Sequence, residues 1–181
     1  MTTRSQQVTT TNGGSRLAEF MLRHGVADYE TLCRRADSDP EWFWPAVMDF
    51  HGLRFFRPFD RVLDVSRGPQ WAQWCTGGTT NLAYNCLDRT LAAGRSAHQA
   101  IVWEGEAGER RSLSYAELAS LSARAAAGLQ RLGCRPGDVV GLYMPMVPET
   151  VAAFLAITRI GAIALPLFSG FGAHALAERL A

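Results

Sequence analysis

Three short stretches carry the residue types that phosphate or acid–base chemistry needs. Gly170-Phe171-Gly172-Ala173-His174-Ala175 fits the pattern G-x-G-x-x-A, follows a predicted strand and opens a predicted helix. In that setting glycines let backbone amides approach a pyrophosphate at a helix N-terminus. The acid that would hold a ribose about 20 residues later falls past Ala181, so the dinucleotide fingerprint is incomplete. A plain tight turn and a nucleotide contact of another kind both stay open. Thr76-Gly77-Gly78-Thr79-Thr80 has the composition of a phosphate loop, but it lacks lysine and has no evident strand before it. It is expected to be a structural turn. Glu149, in Met144-Pro145-Met146-Val147-Pro148-Glu149, is most simply a first-turn acid favoured by the helix dipole, because no partner stands near it in sequence. No GxSxG elbow, HExxH pair or DxDxG calcium loop occurs.

Composition narrows the chemistry further. All 18 basic residues among the 181 are arginine. Without lysine, this chain holds no Walker-type phosphate loop, no Schiff-base mechanism and no catalytic lysine. The net charge of +1 gives no electrostatic footprint for nucleic acid or an anionic membrane, and 48% hydrophobic content is too apolar for a disordered segment. Cys33, Cys75, Cys86 and Cys134 form no CxxC pair, and His24, His51, His98 and His174 show no metal-ligand spacing. Buried free thiols in a reducing, cytoplasmic compartment are the expectation. Residues 1–15 are polar, lack the apolar run of a signal peptide and are expected to be a disordered tail. Residues 151–168 are long and apolar with one charge, Arg159. A mid-span arginine costs about 3 kcal/mol in a bilayer, Gly161 stops a helix, and Pro166 interrupts the second half of the stretch. A buried helix and a buried strand are expected there, not a membrane span.

The elements that must position these residues divide near residue 95. The first part holds every tryptophan but Trp103. Its predicted helices cover residues 15–24, closed by Gly25, and 28–36, with a third opening at Asp39-Pro40-Glu41. Residues 54–70, with Pro58, Gly68 and Pro69, read as a wrapping loop. Beyond Gln99 the pattern is regular. Strands are predicted at 100–104 and 110–114, around a turn at 105–109. Ser114 and Glu117 form a capping box for a helix to Leu132, with Leu118, Leu121, Ala125, Leu129 and Leu132 on one face. Residues 139–144 are apolar on both faces, as parallel strands tend to be. A buried helix at 148–160, a strand at 162–168 and a helix from Gly172 come next. This is the start of an open, mostly parallel α/β sheet with flanking helices. A helix still running at Ala181 makes it look like the front of something longer, with one face of helix 148–160 uncovered.

Several stretches coincide, in order, with those of one family. They are Asp39-Pro-Glu-Trp-Phe-Trp44, Gly78-Thr-Thr-Asn-Leu-Ala-Tyr-Asn-Cys-Leu-Asp-Arg89, Ile101-Val-Trp-Glu-Gly105, Leu113-Ser-Tyr-Ala-Glu-Leu118, Tyr143-Met-Pro-Met-Val-Pro-Glu149, Arg159-Ile-Gly-Ala-Ile163 and Phe168-Ser-Gly-Phe171. The chain resembles the N-terminal part of the adenylate-forming acyl-CoA synthetases, most closely the acetyl-CoA synthetase branch. The resemblance implies a helical N-terminal segment over 16–95 and the truncated first part of an AMP-binding domain over 96–181. It also implies a ligase that activates a carboxylate, acetate or another short acid, with ATP and magnesium and passes the acyl group to CoA. The family's phosphate loop and catalytic lysine have no counterpart here, so no catalytic and no metal-binding residue carries over, and the chain alone is expected to be inactive. The family's Phe-Gly-Gly-Phe loop lies against the nucleotide portion of CoA. Its match is Phe168-Ser169-Gly170-Phe171, with serine in place of the first glycine. Phe168, Ser169 and Gly170 are therefore the implied CoA contacts. The alternative is a non-catalytic or regulatory binding module with a weak CoA or adenine-nucleotide contact.

Overall fold

The computed structural model describes residues 14–180. The tail expected over residues 1–15 lies, up to residue 13, outside the described residues. The chain packs as two compact units that divide between Thr79 and Thr80.

Local caps dictate the helices of the first unit. Helix α1 (Arg16–Arg23) starts where the Ser15 hydroxyl accepts the Ala18 N–H at 3.1 Å, and it stops at Gly25, whose φ of 64° suits glycine. Asp28 caps α2 (Tyr29–Ser38) through the Thr31 N–H at 2.7 Å. Asp39 caps α3 (Pro40–Phe50) through the Trp42 N–H at 3.0 Å, with Pro40 in the first turn. Phe20, Val26, Leu32 and Phe50 form the core between them. Phe20 meets Phe50 edge-on at 5.2 Å, a favoured aromatic geometry. The wrapping loop expected over 54–70 needs correction. It contains strand β1 (Arg61–Asp64), which pairs antiparallel with β2 (Gln73–Thr76), Leu63 opposite Trp74. Val62 is its fully buried side chain. Four residues are too few to show a period of two, and Pro58, Gly68 and Pro69 bracket the strand without entering it.

The second unit carries the parallel strands. Asn81 accepts the Tyr84 N–H at 3.1 Å and starts a π-helical turn, Tyr84–Asp88, that runs into α4 (Arg89–Ala92). Strands β3 (Gln99–Glu104) and β4 (Arg110–Ser114) form a hairpin with Ile101 opposite Leu113. The capping box forms as read. The Glu117 N–H donates to the Ser114 hydroxyl at 3.2 Å, and the Ser114 N–H donates to the Glu117 carboxylate at 2.8 Å, opening α5 (Tyr115–Arg131). Then come β5 (Val139–Tyr143), α6 (Pro148–Arg159), β6 (Ile163–Leu167) and α7 (Ala173–Leu180). Strands β5 and β6 pair in parallel, from Val139 beside Ile163 to Tyr143 beside Leu167. Ala83, Leu87, Leu118, Ala152 and Leu155 make one core, and Leu142, Ile157 and Ala162 another.

Four expectations change in detail. The fully buried positions of α5 are Leu118, Ser122 and Ala126, while Leu121 and Leu129 of the predicted face are half-buried against the cores. Leu132, past the last turn, is 86% exposed. Strand β5 buries Leu142 but leaves Val139, three residues away and so on the opposite face, exposed. The cysteines are free but not buried. Cys33 and Cys86 are exposed, and Cys75 and Cys134 are half-buried. Cys33 follows the buried Leu32, and one helical step of about 100° turns it outward. Residues 151–167 form the rest of α6, the Gly161 turn (φ 76°) and β6, but within β6, expected to be buried, only Leu167 is, and Ile163 is exposed. No described helix is long and apolar enough to cross a membrane.

Candidate functional site

Phe168, Ser169 and Gly170 follow directly on β6, beyond the C-terminal end of a parallel strand, where open α/β sheets take their ligands. Phe168 is not a core residue. Its side chain is 68% exposed, and its ring meets Phe171 edge-to-face at 5.5 Å. The Phe171 N–H donates to the Phe168 carbonyl at 2.9 Å, closing the turn. A Cβ at Gly170 would stand 2.5 Å from Phe168 Cε1, well inside van der Waals contact, so any larger residue there displaces the ring. The Arg179 guanidinium of α7 lies 4.2 Å over the Phe171 ring, a cation–π distance. The Tyr143 hydroxyl, at the end of β5, is 3.0 Å from the carbonyls of both Ser169 and Phe171. The three residues singled out from the sequence are thus one structural loop, and Gly172 leads from it into α7 as the strand–turn–helix pattern requires. Tyr143 and Arg179 were not legible as its supports. A tyrosine ending one strand beside the strand that feeds the loop is the signal, and it exists only once the two strands are paired.

The other motifs resolve as structure. Glu149 has a partner, Arg111 of β4, whose two terminal nitrogens engage both carboxylate oxygens, Nη1 to Oε2 at 3.2 Å. That hydrogen-bonded guanidinium holds the Glu149 carboxyl below its usual range. Beside it the Trp103 indole N–H donates to the Met146 carbonyl at 2.7 Å. Together these bonds tie the β3–β4 hairpin to the start of α6. In the first unit, β2 does precede the Thr76–Thr80 stretch, contrary to the sequence reading. The turn's amides are engaged within the unit, Gly78 N–H on the Cys75 carbonyl at 3.0 Å and Thr79 N–H on the Arg57 carbonyl at 2.9 Å. Those two amides are therefore already spent on the fold. Among the described residues no group of three or more His, Cys, Asp or Glu side chains could hold a metal ion.

Over residues 88–181 the sequence matches the family described as AMP-binding enzyme. The chain belongs to that family. Residues 29–86 match the acetyl-coenzyme A synthetase N-terminus, so the two matched segments meet within the π-helical turn. The acetyl-coenzyme A synthetase of Deinococcus radiodurans is 46% identical over 90% of this chain and 25% of its own length. That of Chlorobaculum tepidum is 44% identical over 86% of this chain and 23% of its own length. Among solved structures, acetoacetyl-CoA synthetase from Streptomyces lividans superposes with a TM-score of 0.79 at 30% identity, covering 91% of this chain and 26% of that one. The chain spans about a quarter of the length of these relatives. The resemblance read from the motifs and the α/β class read from the pattern both hold.

Proposed function

We propose that this chain is the N-terminal part of an AMP-forming acyl-CoA ligase and that its Phe168–Phe171 loop receives the nucleotide portion of CoA. In that enzyme a carboxylate, acetate or another short acid, attacks the α-phosphate of ATP to give acyl-AMP and pyrophosphate. The CoA thiol then displaces AMP. Residues 16–95 supply the helical N-terminal segment and 96–181 the first part of the adenylation domain, in a cytoplasmic enzyme. The lysine that stabilises charge on the phosphates belongs to the rest of the enzyme, because this chain has no lysine.

The observation that carries the CoA reading is the exposed Phe168 ring on a turn beyond the end of a parallel strand. It offers an aromatic face for adenine, and Gly170 offers close backbone approach. The test grafts residues 16–180 in place of the matching quarter of the Deinococcus radiodurans enzyme. The graft is expected to form thioester in the presence of acetate, ATP and CoA. The 181-residue chain alone is expected to release no carboxylate-dependent pyrophosphate. Pyrophosphate release by the chain alone would overturn the division of labour. A folded graft without thioester formation would favour a non-catalytic binding module.

A further inference from the structure

We propose that Tyr143 is the positioning residue of the Phe168–Phe171 loop, its hydroxyl proton shared between two loop carbonyls so that the turn is set before any ligand arrives. The strap itself stands on geometry, and its functional meaning rests on the CoA reading. Tyr143 is the last residue of β5 and stands in register with Leu167, the last residue of β6. One residue further on, the ladder has ended, and no strand among the described residues pairs with the loop. The phenol reaches across this gap, 3.0 Å from the Ser169 carbonyl and 3.0 Å from that of Phe171. A tyrosine hydroxyl has one proton to donate, so the two carbonyls share it.

The side chain has no need of this bond for burial. Tyr143 is 47% exposed, and water could satisfy its hydroxyl in any rotamer that points outward. Committing it to Ser169 and Phe171 ties down the Ser169–Gly170 and Phe171–Gly172 peptide groups. The Phe168 ring at the start of the turn meets Phe171 edge-to-face, and Phe171 lies beneath the Arg179 guanidinium. A ligand that stacks on Phe168 therefore meets a loop already ordered. Without the hydroxyl, the same ligand must order the loop as it binds, which lowers affinity without removing a contact. A phenylalanine at 143 keeps the ring and its packing and deletes only the strap.

The test uses the 181-residue chain labelled with nitrogen-15, wild type and Tyr143→Phe. Amide hydrogen exchange is read at Gly170, Phe171 and Gly172, with the β3–β4 hairpin amides as internal reference. Loss of one net hydrogen bond is expected to speed exchange at Phe171 about five- to tenfold and leave the hairpin unchanged. CoA, titrated into both proteins, is expected to need a concentration higher by about the same factor to shift the loop signals of the variant. Incorporating 4-aminophenylalanine at 143, which restores an N–H donor, is expected to recover most of the protection. Unchanged loop exchange, equal acceleration in the hairpin, or a variant that does not fold would each overturn the proposal. If CoA shifts no loop signal in the wild-type chain while Tyr143→Phe still frees the loop, the strap stands and the CoA reading fails.

Discussion

Gly170→Ala separates a loop that serves a ligand from one that serves the fold. The added Cβ would lie 2.5 Å from Phe168 Cε1, 3.0 Å from Cζ and 3.3 Å from Cδ1. Carbon atoms rest at about 3.5–4.0 Å, so the ring must give way by about 1 Å. It can do so, because Phe168 is 68% exposed and its ring is free to swing outward. What the swing forfeits is the edge-to-face contact with Phe171, worth about 0.5–1.5 kcal/mol. The stability loss in urea is therefore expected to be about 1 kcal/mol, against about 2–5 kcal/mol for truncating a core side chain. The functional loss falls elsewhere. With the ring displaced, the grafted enzyme is expected to show a KM for CoA raised about tenfold, which corresponds to about 1.4 kcal/mol of binding. Acetate-dependent exchange of pyrophosphate into ATP, which reports the adenylate step alone, should hold. If the adenylate and thioester steps fall together, or if stability drops by as much as a core truncation costs, the ring is structural and the site assignment is wrong.

Two further outcomes concern stability. Leu87, 1% exposed and packed with Ala83, Leu118 and Leu155, sits in the core that joins the π-helical turn to α5 and α6, so Leu87→Ala should cost about 2–5 kcal/mol in urea unfolding. Glu149, Glu117 and Asp28 are each held below the ordinary carboxylate range, by the Arg111 side chain, the Ser114 amide and the Thr31 amide respectively. Their stabilisation is complete above about pH 4.5 and is lost as pH falls through the depressed values. The urea midpoint should therefore decline below about pH 4.5, and Glu149→Gln should flatten part of that decline; a midpoint insensitive to pH there would contradict the Arg111 pairing.

How much of the fold is legible in the sequence depends on how far apart the cooperating residues lie. Ser15, Asp28, Asp39 and Ser114 each cap a helix through an amide three residues on. Gly25, Gly133 and Gly161 sit at positive φ just past helix ends. Those signals are local, and the helices they bound form within a residue or two of where the sequence places them. Strand β1 escapes such a reading because its evidence is its partner. Arg61–Asp64 becomes a strand by pairing with Gln73–Thr76, which itself carries no alternating pattern and follows a proline turn. The stripe on α5 differs from the expected one for a related reason. Leucines mark what a helix could bury, and Leu118, Leu121 and Leu129 do pack on the cores, but small size gives no such mark to Ser122 and Ala126, which are buried as well.

The site obeys the same rule. Its position is legible, because a strand, a glycine-bearing turn and a helix start occur in sequence order and need no knowledge of the rest of the fold. Its construction is not. The Phe168–Phe171 loop is held by Tyr143 from 26 and 28 residues upstream, and that distance collapses only when β5 and β6 lie side by side. Glu149 likewise looks partnerless in sequence because Arg111 stands 38 residues before it, on a hairpin strand. A sequence thus names the groups that can touch a ligand when they share a turn. The groups that hold them still come from neighbouring strands, where the chain's return across the sheet brings them into reach. In this chain the exposed ring and the glycine beneath it are local features, and the hydroxyl that fixes them is not. A reading that stopped at the motif would find the candidate loop and miss the hydroxyl that bonds it.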